Sequence, residues 1–158
     1  MSKELVKRFN FVANNAPSQG DMWEVWKQLK AQAALIKEEG LEVFEATEAE
    51  DMENLIKEVM DVKYVLTYME ELLKAFGVKT TEAFDRVCNN NDQKLTQSYI
   101  YADESREFLE QSGVDCYVET TVYGGETWYT VRDKNGKVRK LKYYQPCDLS
   151  DLVPEEFI

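Results

Sequence analysis

Two long stretches of helical periodicity, joined by a very short polar break, constrain the fold of this chain more than any other feature. Apolar residues recur every three or four positions over residues 22–46 and again over residues 55–73. Asp21 belongs to the residue types that cap helix N-termini, and Gly77 to those that end helices. Residues 47–51 are enough only to reverse the chain. The sequence therefore predicts two long helices that pack antiparallel.

Shorter helices are predicted on either side of this pair. Residues 3–13 carry apolar side chains at helical spacing, before a loop that contains Asn, Pro and Gly. Thr80 or Thr81 is suited to cap a third helix, which the run from Asn89 to Asp92 is expected to disrupt. Residues 98–112 are predicted to form one more short helix.

The apolar period changes to two after Gly113, which indicates β-strands. The Gly124-Gly125 pair and the segment from Asp133 to Gly136 are typical of hairpin turns. The strands of the predicted antiparallel meander are residues 116–123, 127–131 and 137–141. The predicted fold class is therefore mainly α, with a helical domain over residues 1–112 and a β extension of the same domain over residues 113–158.

The charge of the chain limits what it can bind. Its formal net charge is −11 at pH 7, and it contains no histidine. Binding to a nucleic-acid polymer is not expected, because phosphate contacts need lysine and arginine. An acidic protein that handles phosphates needs a cation between its own carboxylates and the phosphate groups. Without histidine, the ligands of that cation must be carboxylates.

The cysteines and the hydropathy together indicate a cytoplasmic protein. Cys88, Cys116 and Cys147 are an odd number without a CxxC pair, so neither a disulfide framework nor a zinc cluster is predicted. No stretch has the length and hydropathy of a membrane span, and the first residues lack the apolar core of a signal peptide. We therefore expect no membrane partner.

Two pairs of acidic residues lie at matching places on the two long helices. Glu39 and Glu42 are three positions apart on the first helix, and Glu58 and Asp61 repeat this spacing on the second. Each pair therefore shares one helix face. Like charges that meet between two helices repel in a low dielectric, and Mg²⁺, or Mn²⁺ in its place, suits such oxygen ligands. A solvated acidic face is the alternative, but the apolar neighbours on both helices favour the metal site.

The order of these acids resembles the signature of a known enzyme superfamily. The pattern Glu-Glu-x-x-Glu at residues 38–42, followed by Glu-x-x-Asp at residues 58–61, is similar to that of the MazG-like, all-α NTP pyrophosphohydrolases. These include the dimeric dUTPases and phosphoribosyl-ATP pyrophosphohydrolase. Residues 87–94 resemble the family's Val-x-x-Ser-Asn-x-x-Lys segment, with Asn90 in place of the serine. Residues 135–149 are similar to the tail of phage-type members, which implies a host cytoplasm as the location.

The resemblance implies a role for each matched residue. Glu38 is implied as an accessory ligand or a group that orients water. Catalysis is expected to involve Glu38, Glu39 and Glu42, and which carboxylate takes the proton of the attacking water stays open. Asn91 and Lys94 are implied to bind phosphate or sugar of the substrate. The implied Mg²⁺ ligands are Glu39, Glu42, Glu58 and Asp61.

Residues 131–142 are strongly basic, which is unusual in so acidic a chain. Lys137 and Lys140 in this segment are predicted to contact substrate phosphates, or else the acidic face of another subunit. The alternative is a hairpin kept soluble by lysines at its edge. Trp23 and Trp26 are similarly open to two interpretations, as part of a base-binding wall or as core residues.

The predicted function is hydrolysis of a ribo- or deoxyribonucleoside triphosphate to the monophosphate and pyrophosphate. Because two long helices leave apolar surface uncovered, we expect two chains to pair into a four-helix bundle, and the resemblance implies a homodimer or homotetramer. One alternative is phosphoribosyl-ATP or an alarmone as the substrate. A second alternative is a non-catalytic module that binds nucleotides, which the full set of matched carboxylates disfavours.

Overall fold

The computed structural model describes all 158 residues. The predicted fold class, mainly α with a small antiparallel sheet towards the C-terminus, is confirmed. No helix combines the length and the apolar character needed to cross a bilayer, and all three cysteines are free thiols. The helices and strands are α1 (Ser2–Val12), α2 (Met22–Glu48), α3 (Met52–Ala75), α4 (Thr80–Asp92), α5 (Tyr99–Gln111), β1 (Cys116–Tyr123) and β2 (Glu126–Asp133).

Backbone contacts divide the chain into two compact units. The helical unit comprises residues 1–80 and 151–158, and the mixed unit comprises residues 81–150. The helical unit contains α1, α2 and α3, whereas the mixed unit contains α5, both strands and nearly all of α4. The predicted organisation, a helical domain over residues 1–112 with an extension over residues 113–158, stays a prediction.

The helices α2 and α3 form where the apolar periodicity predicts them, and both begin at a capping aspartate. Asp21 Oδ1 accepts a hydrogen bond from the backbone N–H of Glu24 at 3.1 Å. Asp51 Oδ1 likewise accepts one from the backbone N–H of Asn54 at 3.0 Å. Glu50, in the turn between the helices, has a φ of +54°, a left-handed conformation that helps the chain to reverse in so few residues.

A small apolar core joins α1 to the α2–α3 pair. Its buried residues are Val6, Val25, Leu29, Tyr68 and Leu72. A buried hydrogen bond from Gln32 Nε2 of α2 to the carbonyl oxygen of Val65 of α3, at 2.7 Å, fixes the two helices against each other. This bond lies about two turns before Glu39 and about one turn after Asp61. It therefore sets how closely the acidic stretches of the two antiparallel helices approach.

In the mixed unit, α4 continues through the asparagine run that was expected to disrupt it. Asparagine weakens a helix mainly when its side chain competes for nearby backbone groups in non-helical conformations. Here the Asn91 amide donates to the carbonyl of Val87 at 3.1 Å, one helical turn back. The Asn90 amide donates to the carbonyl of Gln145 at 2.6 Å. Both amides are thus occupied in ways that leave the helix intact.

The predicted helix over residues 98–112 is present as α5, and Ser98 caps its N-terminus with a hydrogen bond from the N–H of Tyr101 at 3.3 Å. The helix packs against both strands. The resulting core consists of Cys116, Val131 and Leu141, with Tyr101, Leu109, Val114 and Val118 packed against it.

The sheet is a hairpin of two strands rather than the predicted three. Its turn is Gly124-Gly125, whose φ angles of +61° and +79° are those that glycine adopts readily in a two-residue hairpin turn. The third predicted strand, residues 137–141, forms only a single bridge, between Arg132 and Val138. Because Leu141 is buried in the core, the chain leaves the sheet edge shortly after that bridge.

Candidate active site

Three carboxylates from the two long helices meet in the helical unit. Glu39 of α2 and Glu58 and Asp61 of α3 each present one oxygen, and these oxygens all lie within 4.8 Å of one another. The antiparallel packing of α2 and α3 produces this meeting, since each pair occupies one face of its helix. We refer to Glu39, Glu58 and Asp61 as the acidic triad.

Glu42 lies beside the acidic triad. Its carboxyl group is within hydrogen-bonding reach of Glu58. This contact, followed by the charge of Glu58, by burial and by the charge of Glu39, raises the pKa of Glu42 above its ordinary value. Such a shift is expected where two carboxylates share one site. Glu38, the predicted accessory residue, is exposed on α2, and the structure shows no contact between it and the triad.

Glu58 is the most buried acid of the site, with only 4% of its surface exposed. A buried charge is costly unless it has a partner. Lys57 supplies that partner, because its Nζ lies 3.0 Å from both carboxylate oxygens of Glu58 and 3.0 Å from Oδ2 of Asp61. These hydrogen bonds, Glu58 first, raise the pKa of Lys57, which therefore stays charged.

Lys57 did not emerge from the sequence analysis. The sequence nevertheless contains a pattern that could have predicted it. Lys57 immediately precedes Glu58 and stands four positions before Asp61, the spacing of a helical ion pair. A lysine next to one acid and one turn from another is common on exposed helix faces. Only the burial of Glu58 distinguishes this lysine from an ordinary surface residue.

The donor set fits a hard divalent cation. All the ligand atoms that the triad offers are carboxylate oxygens, drawn from two helices and close enough to converge on one ion. Mg²⁺ and Mn²⁺ prefer such oxygen ligands, and Mg²⁺ typically takes few carboxylates and keeps positions for water and phosphate. Glu39, Glu58 and Asp61, with Glu42 beside them, are therefore the residues able to hold the predicted Mg²⁺.

A cavity of about 330 Å³ opens next to the triad, where α2 ends and α3 begins. Glu42 and Glu58 belong to its lining. A second cavity, of about 300 Å³, includes Lys57 in its wall and shares two lining residues with the first, Asp51 and Asn54. The first cavity is lined by Glu42, Glu45, Ala46, Ala49, Asp51, Asn54 and Glu58. So acidic a wall suits a substrate phosphate only together with a cation.

The predicted substrate-binding residues Asn91 and Lys94 lie in the mixed unit, at the end of α4. Lys94 Nζ donates a hydrogen bond to Asn91 Oδ1 at 2.7 Å, so the structure brings these two residues together. Asn90, which replaces the family's serine, accepts a hydrogen bond from the hydroxyl of Tyr144 and donates to the carbonyl of Gln145. Asn90 thus connects α4 to the tail that follows the hairpin.

Lys137 and Lys140, the other predicted substrate contacts, follow β2. Lys137 is exposed in the turn, where its backbone N–H donates to Asp133 Oδ1 at 3.0 Å. Lys140 places its Nζ 4.7 Å from the centre of the Tyr144 ring, a cation–π contact. Both lysines lie after β2, and neither belongs to β1. They therefore cannot protect the sheet edge that β1 forms.

The two tryptophans at the start of α2 are not core residues. Trp23 is 68% exposed, with Lys27 Nζ 5.0 Å from its ring centre. Trp26 is 49% exposed and meets Phe157 edge-on, with ring centroids 5.9 Å apart. The core interpretation is therefore wrong for Trp23 and holds only in part for Trp26. A role of either residue in binding a base stays a prediction.

Residues 3–91 match the model of the family described as phosphoribosyl-ATP pyrophosphohydrolase. The matched residues include nearly all of α1, the whole of α2 and α3, and the acidic triad. No curated protein and no solved structure gives a significant match. The predicted MazG-like relationship is thereby confirmed. Because the match covers more than half of the chain, the chain belongs to the phosphoribosyl-ATP pyrophosphohydrolase family of nucleotide pyrophosphohydrolases.

Proposed function

We propose that this protein is a Mg²⁺-dependent enzyme that hydrolyses a nucleoside triphosphate to the monophosphate and pyrophosphate, with Mn²⁺ as a possible substitute. The observation that carries the proposal is the acidic triad, whose oxygens converge beside a cavity. One lysine, Lys57, contacts two of these carboxylates, so the site keeps an excess of negative charge. A site that keeps several carboxylates together in this way is explained by binding a cation.

The chemistry divides between the cation and the side chains. When bound, Mg²⁺ supplies charge neutralisation for phosphate oxygens and lowers the pKa of a bound water. Glu39, Glu58 and Asp61 hold it from two helices. We assign the proton transfer to Glu42, because it lies beside the triad rather than within it. The water oxygen attacks the α-phosphorus, its proton passes to a carboxylate, and the bond to the pyrophosphate leaving group breaks.

Basic and amide side chains of the mixed unit are proposed to bind parts of the substrate. Lys94 carries a charge for a phosphate, and Asn91, which already contacts it, offers a neutral hydrogen bond to phosphate or sugar. Lys137 and Lys140 are proposed to contact phosphates as well. These assignments rest on the family pattern and on the charge of the side chains.

A homo-oligomer is part of the proposal. Large apolar side chains stand exposed on both long helices, among them Leu41 and Phe44 on α2 and Ile56 and Met60 on α3, all at least half exposed. Exposed apolar area on this scale is typical of an interaction surface. A second copy of the chain, forming a four-helix core with the first, is the proposed partner in a homodimer or homotetramer.

A second candidate substrate is phosphoribosyl-ATP, which the description of the matching family favours. The same triad and the same attack on phosphorus serve this substrate, since it too carries a triphosphate chain. The two candidates differ only in the base and sugar that the protein must recognise.

The test is pyrophosphate release from NTPs, dNTPs and phosphoribosyl-ATP in Mg²⁺, for the wild type and for Glu42→Gln. The matched control is Glu48→Gln, which removes an exposed carboxylate of the same helix outside the triad and the cavity lining. We expect wild-type activity that EDTA abolishes, a loss of at least a hundredfold in Glu42→Gln, and little change in Glu48→Gln. Absence of pyrophosphate from every substrate would favour a non-catalytic binding module.

A further inference from the structure

The outer edge of β1 is free of backbone partners. The pair Tyr123↔Glu126 closes the hairpin over a two-residue turn, so odd-numbered residues of β1 direct their N–H and C=O groups towards β2. Val118, Thr120 and Val122 direct theirs to the opposite side. Backbone hydrogen bonds to these three residues from any other part of the chain are absent.

The outer edge of β2, by contrast, is already covered. Thr96 exchanges two backbone hydrogen bonds with Tyr129, at 2.7 and 3.1 Å. Arg139 N–H donates to the carbonyl of Val131 at 2.7 Å, and Asp133 N–H donates to the carbonyl of Lys137 at 3.0 Å. The hairpin therefore has one sheet edge available for pairing, so further strands can be added only beside β1.

The sequence of β1 is nearly palindromic about Thr120. Residues 117–123 read Tyr-Val-Glu-Thr-Thr-Val-Tyr. Tyr117 mirrors Tyr123, and Val118 mirrors Val122, while Glu119 corresponds to Thr121. Antiparallel pairing of two identical strands about a twofold axis places mirrored positions opposite each other. A palindromic edge strand is thus complementary to itself.

We propose that β1 pairs antiparallel with β1 of a second copy of this chain, about a twofold axis at Thr120, so that two hairpins form one four-stranded sheet. In this register Thr120 faces the partner's Thr120, and Val118 faces the partner's Val122. Each of these is a hydrogen-bonded pair that exchanges two backbone bonds. Opposed threonines, opposed valines and opposed tyrosines are all favourable cross-strand pairs.

Charge selects this register over its neighbour. A shift that centred the axis on Glu119 would place that carboxylate opposite its own copy, which is unfavourable. With the axis at Thr120, Glu119 instead faces the partner's Thr121, and it is already paired with Arg132 of its own hairpin. Residues 113–150 carry six basic and five acidic side chains, so the net charge of −11 is not concentrated where the strands would meet.

The exposure of β1 agrees with such a contact. Tyr117 is 47% exposed, Val122 is 70% exposed and Tyr123 is 78% exposed. The strand also lacks the proline and lysine that commonly protect an open edge. A long, β-branched, unprotected edge is normally paired in a folded protein. Of the extended strands that could pair with this edge, we choose β1 of a second copy, because the sequence of β1 is complementary to itself.

A disulfide at the axis tests the proposal directly. In a Cys88→Ser, Cys147→Ser background, Thr120→Cys places two thiols on opposed residues of a hydrogen-bonded pair, whose Cα atoms are about 5.5 Å apart, within disulfide range. The control is Thr127→Cys, also exposed but on β2. Its two copies would lie three strand spacings apart across the sheet and four residues apart along it, a separation of about 20 Å. Under mild oxidation we expect at least tenfold more covalent dimer from Thr120→Cys. Equal or absent cross-linking would overturn the proposal, even if the helices hold an oligomer together.

A pair of lysine variants tests the register without any cross-link. Thr120→Lys places two positive charges opposite each other at the axis, whereas Thr121→Lys places the same charge opposite the partner's Glu119. We expect sedimentation of the full chain to show weaker association for Thr120→Lys and wild-type association for Thr121→Lys. Equal loss of association in both variants would contradict this register.

Discussion

The ammonium nitrogen of Lys57 lies 3.0 Å from Oδ2 of Asp61, one helical turn further along α3. The same nitrogen contacts both oxygens of the buried Glu58. A divalent cation on the acidic triad needs these oxygens as ligands. A cation bound to the triad would therefore compete with Lys57 for the same carboxylates.

Replacement of Lys57 should strengthen cation binding. In Lys57→Met the carboxylates lose a competing charge, and we expect the affinity for Mn²⁺ or Mg²⁺, measured by calorimetry, to rise about fivefold, since an exposed ion pair is worth up to about 1 kcal/mol. Lys63→Met, which removes an exposed lysine of α3 outside the triad, is the control. Unchanged or weaker binding in Lys57→Met would show that the lysine does not compete.

Removal of the buried carboxylate should separate stability from cation binding. Glu58→Gln keeps the shape of the side chain and loses the ion pair with the exposed Lys57. It also removes the repulsion with Glu42 and the cost of a buried charge, so we expect the metal-free protein to melt no lower than the wild type. Saturating Mg²⁺ should raise the Tm of the wild type, because a ligand at a hundred times its Kd contributes about 2.7 kcal/mol. The same addition should leave the Tm of Glu58→Gln unchanged. A Mg²⁺ response that survives in this variant would remove Glu58 from the ligand set.

The pH dependence of stability should report the pKa of Glu42. Contact with Glu58 raises that pKa in the folded protein, so the folded state holds the proton more firmly than the unfolded chain. The contribution of Glu42 to stability therefore falls as the pH rises from about 4.5, the ordinary value, through the raised folded-state value. We expect metal-free wild type to lose stability relative to Glu42→Gln across this window in thermal melts.

Other acids make stability depend on pH in the opposite direction, and their contribution must be separated from that of Glu42. Contacts with lysines, chiefly Lys74 for Glu70 and Lys7 for Glu71, lower the pKa of these two acids, so their contribution is lost as the pH falls. Because both acids are present in the wild type and in Glu42→Gln, the difference between the two melting curves isolates Glu42. A difference that does not vary with pH would contradict the prediction.

The proposed helical interface should depend on Phe44. This side chain is 62% exposed on α2, and burial of a phenylalanine against a second copy contributes about 1.5–3 kcal/mol. We expect Phe44→Ser to raise the concentration at which the oligomer dissociates by at least tenfold, as measured by sedimentation. Phe84→Ser, which removes a phenylalanine 68% exposed on α4, should leave dissociation unchanged. Equal effects of the two variants would argue against an interface at α2.

The helix pair and its acids could be predicted from sequence because both depend on local spacing. Apolar residues at helical intervals identified α2 and α3, and Asp21 and Asp51 stand where capping residues are expected. The separation of three positions within each acidic pair was enough to place its members on one face. The short turn then required the faces to meet. None of these inferences needed a contact between distant residues.

Other features depended on contacts between residues far apart in sequence. Residues 137–141 have the composition of a strand, but burial of Leu141 draws them away from the sheet edge. The asparagine run has the composition of a helix end, but Asn90 donates to Gln145 and α4 continues. Trp26 has the apolar spacing of a core residue, yet the fold leaves it 49% exposed.

The sequence by itself thus determined the helical class, the antiparallel pair and the residues of the acidic site, because helical periodicity records which residues share a face. The tertiary structure alone decided that Glu58 is buried, that Lys57 neutralises it and that β1 keeps an open edge. The physical reason is that burial and pairing depend on what packs against a face. No spacing within one segment carries that information.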